Sequence, residues 1–505
     1  MSLARLNDVV PDFAASDSET PFALQALAAQ ASTSLDPVDW TAFRTQAHQM
    51  LDDMIGHLQH TADEPLWREP SPAARTALRA EVPEAPTALA EVYDQFRTNI
   101  LPYGSGNIHP GFMAWVQGGG TPTGMLAEML AGGMNVNAGG RDHMAIEVER
   151  QITAWVRDLF GFPETAGGLF LTGASQANFV ATVIARTRRR GSDVRRTGLA
   201  GARPLTAYTS VEAHGCIPRA LDMCGVGTDH LRRIDVDGDG RIRLDALKTA
   251  IAADRAAGFE PFLVVGSAGT VNTGAIDDLT ALAALARAED LHFHVDGALG
   301  ALGVMAADLK PLLRGIELCD SLAFDFHKWG QVPYDAGFLL VRDEAWQRQT
   351  FASDAAYLTR AGRGLAGGDW WPCDTGPDLS RGFRALKTWF TLKTHGTEAL
   401  GRSMSANCRL ARRLAERVDA DPRLVRLAPV ALNVVCFART AATPEATDRL
   451  NSRIVEQLHM DGRAAPSLTL IHGRKAIRAA IVNHRTTEAD IDALLNGVLN
   501  YPAED

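Results

Sequence analysis

"LHFHVDGALGALGVMAADLKPLLRGIELCDSLAFDFHKW" (residues 291–329) holds two short apolar runs, LHFHVDGA and SLAFDFH, separated by a mixed segment; the first ends at Asp296 and the second leads into Lys328. Runs this short and this apolar on both faces mark strands of a parallel sheet covered by helices on both sides. The same alternation extends outward. GLFLTG (168–173) precedes the helical SQANFVATVIARTRRR, PLTAYTS (204–210) precedes CIPRALDMCG, PFLVVGSAGT (261–270) precedes DLTALAALARAED, and GFLLVRD (337–343) follows. This is an α/β pattern, with a mostly parallel central sheet between layers of helices. Ligands of such sheets bind at the carboxyl ends of the strands.

Residues 1–110 read as a helical N-terminal segment. DPVDWTAFRTQAHQMLDDMIGHLQH (36–60) has apolar residues at helical spacing after an Asp-Pro start, and EPSPAARTALRAEVPEAP (69–86) reads as an irregular connector. Residues 111–400 form the large domain. Residues 401–505, with helical stretches and the short strands NVVCFA and KAIRAAIVN, form a small α+β domain.

At 505 residues, 46% hydrophobic and 22% charged, the chain is long enough for a sizeable core, which excludes a disordered or fibrous protein. Its net charge of −10 is spread along the chain. The densest basic run, RTRRRGSDVRR (186–196), lacks interleaved aromatics and reads as a solvated helix end, not a nucleic-acid patch. Six cysteines without regular spacing indicate neither a zinc site nor a disulfide framework. No apolar run approaches the roughly 20 residues that span a bilayer. The expectation is a cytoplasmic protein that binds neither membrane nor nucleic acid. DVDGDGRIRLDA (235–246) begins like a calcium loop, but Ala246 stands where the bidentate glutamate belongs, so we read it as a polar turn and expect no metal.

Three features of the central domain carry chemistry. Gly173, Ala174 and Ser175 turn a strand into a helix, exposing backbone N–H groups that could cradle a phosphate, or simply forming a tight turn with a capping serine. Asp296 ends an apolar strand, where a carboxylate needs a partner. Lys328 follows one strand and one crossover later. A structural Asp–Lys ion pair would use the same two residues. In combination, a phosphate cradle, a buried acid and a lysine are what a pyridoxal phosphate site requires: the lysine holds the cofactor covalently and the acid keeps the pyridine nitrogen protonated.

Seven ordered motifs, HPGFMAW (109–115), LTGASQAN (171–178), EAHGCIPRA (212–220), AGTVNTGAIDDL (268–279), HVDGALGA (294–301), DFHKW (325–329) and LSRGFRALKTWF (379–390), make the chain resemble the group II pyridoxal-phosphate-dependent amino acid decarboxylases from about Asp36 to Ile491. The resemblance implies a fold-type I, aspartate-aminotransferase-like enzyme and a homodimer with active sites at the subunit interface. It implies that Lys328 is the covalent lysine, Asp296 the partner of the pyridine nitrogen, and His214 the histidine that stacks on the ring and orients the substrate carboxylate. Gly173, Ala174 and Ser175 match the phosphate loop. Thr270, Ala298, Asp325 and His327 match further cofactor contacts, and Tyr357 matches a loop tyrosine that reaches across the dimer to protonate Cα. Phe112 and Trp115 match the segment lining the side-chain pocket, though either aromatic would also serve as core. NVNAGGRDHMAIEVERQ (135–151) replaces a Ser-Pro-containing stretch of many aromatic decarboxylases, in a region expected to shape the substrate pocket. The implied reaction is decarboxylation of an L-amino acid, an aromatic one by preference, to the amine. The alternatives are an aldehyde synthase, a glutamate or diamino acid decarboxylase, and an aminotransferase.

Overall fold

The computed structural model describes residues 34–353 and 359–502. A two-residue strand, β1 (Phe112–Met113), precedes the strands of the large domain: β2 (Gly167–Leu171), β3 (Leu205–Ser210), β4 (Leu231–Ile234), β5 (Glu260–Ser267), β6 (His292–Asp296), β7 (Ser321–Asp325) and β8 (Gly337–Val341). These seven pair in the order β2-β8-β7-β6-β5-β3-β4. Only β8 runs against its neighbours, so the sheet is mostly parallel, as the apolar runs predict. β4 escapes sequence reading because Arg232 and Arg233 interrupt its apolar pattern; it is an edge strand, where such residues reach solvent.

The sheet's interior is aromatic and aliphatic. Phe170, Phe324, Phe326 and Phe338 pack with centroids 5.0–5.9 Å apart beneath the helix Met144–Phe160 and the turn carrying Trp329. The other face is covered by the helix Ala174–Arg190, which buries Ala177, Val180, Ala181 and Ile184 on β2, β7 and β8. The basic run at the end of that helix is spent locally: Arg188 pairs with Asp320, Arg189 with Asp290 and Arg190 with Glu260.

Four further strands, β9 (Leu424–Arg426), β10 (Val434–Arg439), β11 (Ala465–Ile471) and β12 (Arg474–Ala480), form a second sheet, ordered β1-β11-β12-β10-β9. β1 thus joins the small sheet, with Phe112 opposite Ala465, although the sequence division at 111 assigns it to the large domain. The helical run Arg384–Ala420 passes through position 400 and breaks at Gly396, whose φ of 70° is left-handed. Asp39 caps the helix Trp40–Gln59, which buries no residue of its own. In the 235–246 turn the Asp237 carboxylate accepts from the N–H groups of Asp239 and Arg241. Among the described residues no cluster of His, Cys, Asp or Glu is arranged to hold a metal, and no helix is long and apolar enough to cross a membrane.

Candidate active site

Parallel pairing aligns the carboxyl ends of three strands: Ser267 lies opposite Asp296, and Asp296 opposite Ala323, two residues before Asp325. Above them opens a cavity of about 430 Å³ whose walls include Gly173, Ala174, Ser175, His214, Thr270, Asp296, Ala298, Asp325, His327 and Lys328. Together with Trp115, eleven of the residues named from sequence converge on one site.

Asp325 ends β7 and is almost wholly buried. One carboxylate oxygen accepts from the Ala174 N–H (2.6 Å) and the other from Lys328 Nζ (2.8 Å). Burial opposes the ammonium charge, but Asp325 and Asp296 outweigh it and hold the Lys328 pKa above the ordinary lysine value. The ion pair anticipated between Asp296 and Lys328 is therefore made by Asp325, because three residues of one turn separate them.

Asp296 is left without a cation. Its Oδ1 accepts from the Ala298 N–H (3.1 Å), and its Oδ2 faces the Cys216 thiol at 3.9 Å. A buried carboxylate with no basic partner among the described residues is costly unless a positive N–H group meets it, and a protonated pyridine nitrogen supplies one. The helix Ala174–Arg190 begins beside it, where the N-terminus favours a phosphate. Gly337 makes this turn possible: a Cβ there would lie 2.3 Å from the Cα of Gly173. Acid, lysine and helix N-terminus fit pyridoxal phosphate together.

His214 follows β3, its Nδ1 accepting from the Cys216 N–H (3.1 Å). Desolvation in the pocket outweighs the attraction of Asp296 and keeps its pKa below the ordinary value, so the ring is neutral with its proton on Nε2. His327 Nδ1 accepts from the Ala336 N–H, and burial lowers its pKa likewise. Thr270 is buried with its hydroxyl accepting from the Ala275 N–H, an anchor for the loop after β5.

The two aromatic candidates part company. Trp115 lines the cavity with its ring largely exposed, whereas Phe112 is buried against Leu66, Trp67 and Ala465 and does not reach it. Alternation along β1 sends Met113 into the small-domain core and Phe112 to the opposite side, against Leu66 and Trp67 of the N-terminal segment. Residues 135–151 contribute nothing to the described lining; there Arg141 lies over the Trp371 ring at 4.5 Å. Tyr357 lies outside the described residues.

Among the lining residues that escaped the sequence reading are Tyr334 and Arg478. Tyr334, half-exposed, lies tilted against the His327 ring with centroids 4.2 Å apart, and desolvation on its pocket side raises its phenol to about 12. Arg478 is buried and donates to the carbonyls of Ala114, Val271 and Asn272. Its signal was a lone charge in the apolar run AIRAA (476–480).

Residues 72–440 match the family model described as the pyridoxal-dependent decarboxylase conserved domain. The chain belongs to the pyridoxal-dependent decarboxylases. It is 31% identical to an aromatic-L-amino-acid decarboxylase of Bacillus atrophaeus, over 89% of this chain and 93% of that one. It is 26% identical to a phenylacetaldehyde synthase of Arabidopsis thaliana, over 90% and 95%. Among solved structures, the fold of this decarboxylase is similar to Oryza sativa TDC with PLP and tryptamine (TM-score 0.84, 24% identity, 92% of this chain and 99% of that one) and to mouse CSAD (TM-score 0.85, 23% identity, 91% and 98%). This decarboxylase acts on an amino acid with pyridoxal phosphate as cofactor, and its fold is type I.

Proposed function

We propose that this decarboxylase converts an aromatic L-amino acid to its amine and carbon dioxide. The observation that carries the reading is the cavity wall itself: the indole of Trp115 and the phenol of Tyr334 face the space beside Lys328, Asp296 and His214, a lining that suits a flat side chain. The name of the Bacillus atrophaeus relative supports it.

When bound, pyridoxal phosphate supplies the sink for the electron pair left at Cα as carbon dioxide departs. Lys328 would hold the cofactor covalently, its amine freed of the proton that Asp325 stabilises. Asp296 holds the proton of the ring nitrogen, and Gly173, Ala174 and Ser175 receive the phosphate at the helix N-terminus. Ala298 keeps Asp296 in place, Thr270 fixes the adjoining loop, and His327 flanks the phosphate side. His214, neutral and a donor through Nε2, orients the substrate carboxylate. Tyr357 delivers the Cα proton, a role resting on the resemblance alone.

We also propose a homodimer. Trp40, Phe43, Ile55, Met129, Leu130 and Met134 are exposed on the helices Trp40–Gln59 and Pro122–Met134, apolar surface that a subunit interface would bury.

A panel of L-amino acids decides the substrate class, with carbon dioxide, amine, ammonia and peroxide measured together. Equimolar amine and carbon dioxide are expected from tryptophan, tyrosine or phenylalanine, with kcat/KM about a hundredfold above glutamate or a diamino acid. Preference for glutamate would sink the aromatic reading. Aldehyde, ammonia and peroxide in place of amine would establish the second reading, an aldehyde synthase, which the Arabidopsis thaliana relative favours. A keto acid formed without carbon dioxide would indicate an aminotransferase.

A further inference from the structure

β6 reads His-Phe-His-Val-Asp, and its period of two puts His292, His294 and Asp296 on the sheet face beneath the helix Ala174–Arg190. Phe293 and Val295 take the opposite face, in the main core. Three polar side chains in a row on a buried face are unusual, since each must find a partner or cost stability. All three find partners, and the partners connect. Arg188 Nη1 meets His292 Nδ1 at 2.7 Å, and His292 Nε2 meets Ser321 Oγ at 2.8 Å. The same Oγ meets His294 Nδ1 at 2.8 Å, and His294 Nε2 meets Asn178 Oδ1 at 2.6 Å. Asn178 Nδ2 then lies 3.2 Å from Cys216 Sγ, whose thiol faces Asp296 Oδ2 at 3.9 Å.

The direction of every bond is determined by the two ends. A guanidinium can only donate, so His292 accepts at Nδ1 and carries its proton on Nε2. Ser321 must accept that proton and donate its own to His294 Nδ1, which leaves the His294 proton on Nε2 for Asn178. The amide then presents its NH₂ to the sulfur, and the thiol is left to donate to a carboxylate that can only accept. Burial keeps His294 neutral, with a pKa near 3, and raises that of Cys216, so the tautomers and the thiol proton persist at neutral pH. Arg188 is anchored in turn by Asp320 at 3.5 Å and by the Trp346 ring beneath its guanidinium at 3.5 Å.

We propose that Cys216 and Asn178 are positioning residues that aim the Asp296 carboxylate, and that the chain from Arg188 through His292, Ser321 and His294 holds them in a single orientation. Among the described residues no side chain other than Cys216 donates to Asp296, so the thiol on Oδ2, together with the Ala298 N–H on Oδ1, sets how the carboxylate is turned toward a ring nitrogen. Bonds aligned head to tail polarise one another, and the chain acts as one unit. The assignment rests on Asp296 facing the cofactor's ring nitrogen, as proposed above.

The test uses the purified enzyme loaded with pyridoxal phosphate and the variants Cys216→Ala, Cys216→Ser, Asn178→Ala, the double alanine variant and Asp296→Asn. Four readouts are taken: kcat, KM, the dissociation constant of the cofactor, and the pH titration of its visible absorbance. Cys216→Ala and Asn178→Ala are each expected to lower kcat about tenfold with KM within about twofold, and to shift the absorbance titration. Cys216→Ser, which retains a donor and an acceptor, should restore both. The double variant should be no worse than either single one, since cutting a chain twice does what cutting it once does. Additive losses, a serine variant as poor as the alanine, or a spectral titration unmoved in Cys216→Ala would each overturn the proposal; should Asn178→Ala not fold, the two Cys216 variants decide. Asp296→Asn keeps the two readings apart. If it turns over like the parent, the role of Asp296 is wrong. If it is inactive while Cys216→Ala is normal, only the chain is wrong.

Discussion

Lys328 Nζ lies 2.8 Å from Asp325 Oδ2 while Asp296 keeps only a backbone N–H and a thiol, so the two carboxylates of the site do different work. Asp325 is neutralised within the protein and Asp296 is not. Replacing Asp296 by Asn removes a charge that no ion pair among the described residues neutralises; the fold and much of the cofactor binding should survive, while kcat falls about a hundredfold or more, as steady-state assays would show. Near-parental turnover would make it a structural residue. Lys328→Ala should abolish the covalent link, so that borohydride reduction of the loaded variant leaves no cofactor on the protein by mass spectrometry. A reduced adduct at another lysine would be fatal to the assignment. Of the site, Lys328, Asp296 and the 173–175 turn were legible from position at strand ends. The pairing of Lys328 with Asp325 was not, because a sequence places both acids within reach and only the turn after β7 chooses.

At the scale of elements, β6 stores its histidines in the neutral form. The unfolded chain binds a proton on His294 below about pH 6.5, whereas the folded chain does so only near pH 3, and His292 is likewise depressed by burial. Between those values the unfolded state holds more protons, so stability is complete above pH 6.5 and declines as pH falls, by about 1.4 kcal/mol per pH unit for each histidine. Urea unfolding at pH 7 and pH 5 measures it; a flat profile would mean that these rings are not buried neutral. The start of the helix Ala174–Arg190 depends on Gly337. Gly337→Ala pushes a methyl into the Gly173 backbone, and pyridoxal phosphate affinity, followed by fluorescence titration, should weaken about tenfold or more. The LSRGF motif works through Arg381, which binds Glu149 with two bonds and donates to the carbonyls of Ala138 and Phe170, all buried. Arg381→Ala strands a buried carboxylate and should cost about 3–5 kcal/mol in denaturant unfolding.

For the whole molecule, the exposed apolar helices at the N-terminal side predict a particle of twice 54.3 kDa in light scattering. Met129→Asp and Leu130→Asp, on the outer face of the helix Pro122–Met134, should shift it toward monomer with loss of activity; a fully active monomer would end the dimer proposal. The α/β class, the strands β2, β3 and β5 to β8, and the acid–lysine–turn trio were all readable from local pattern, whereas the strand order came only with the structure. β1 and β11 were not, since two residues carry no periodicity and a strand with one exposed face and polar alternation resembles a loop. By itself the sequence determined which segments are buried on both faces and which residues end them, because burial and alternation are properties of the nearest few residues. Only the tertiary structure decided that Phe112 turns away from the site, that Tyr334 and Arg478 enter it, and that six side chains from four elements line up behind Asp296. Those outcomes depend on contacts between residues hundreds of positions apart, which are set when the sheet closes under its helices and not before.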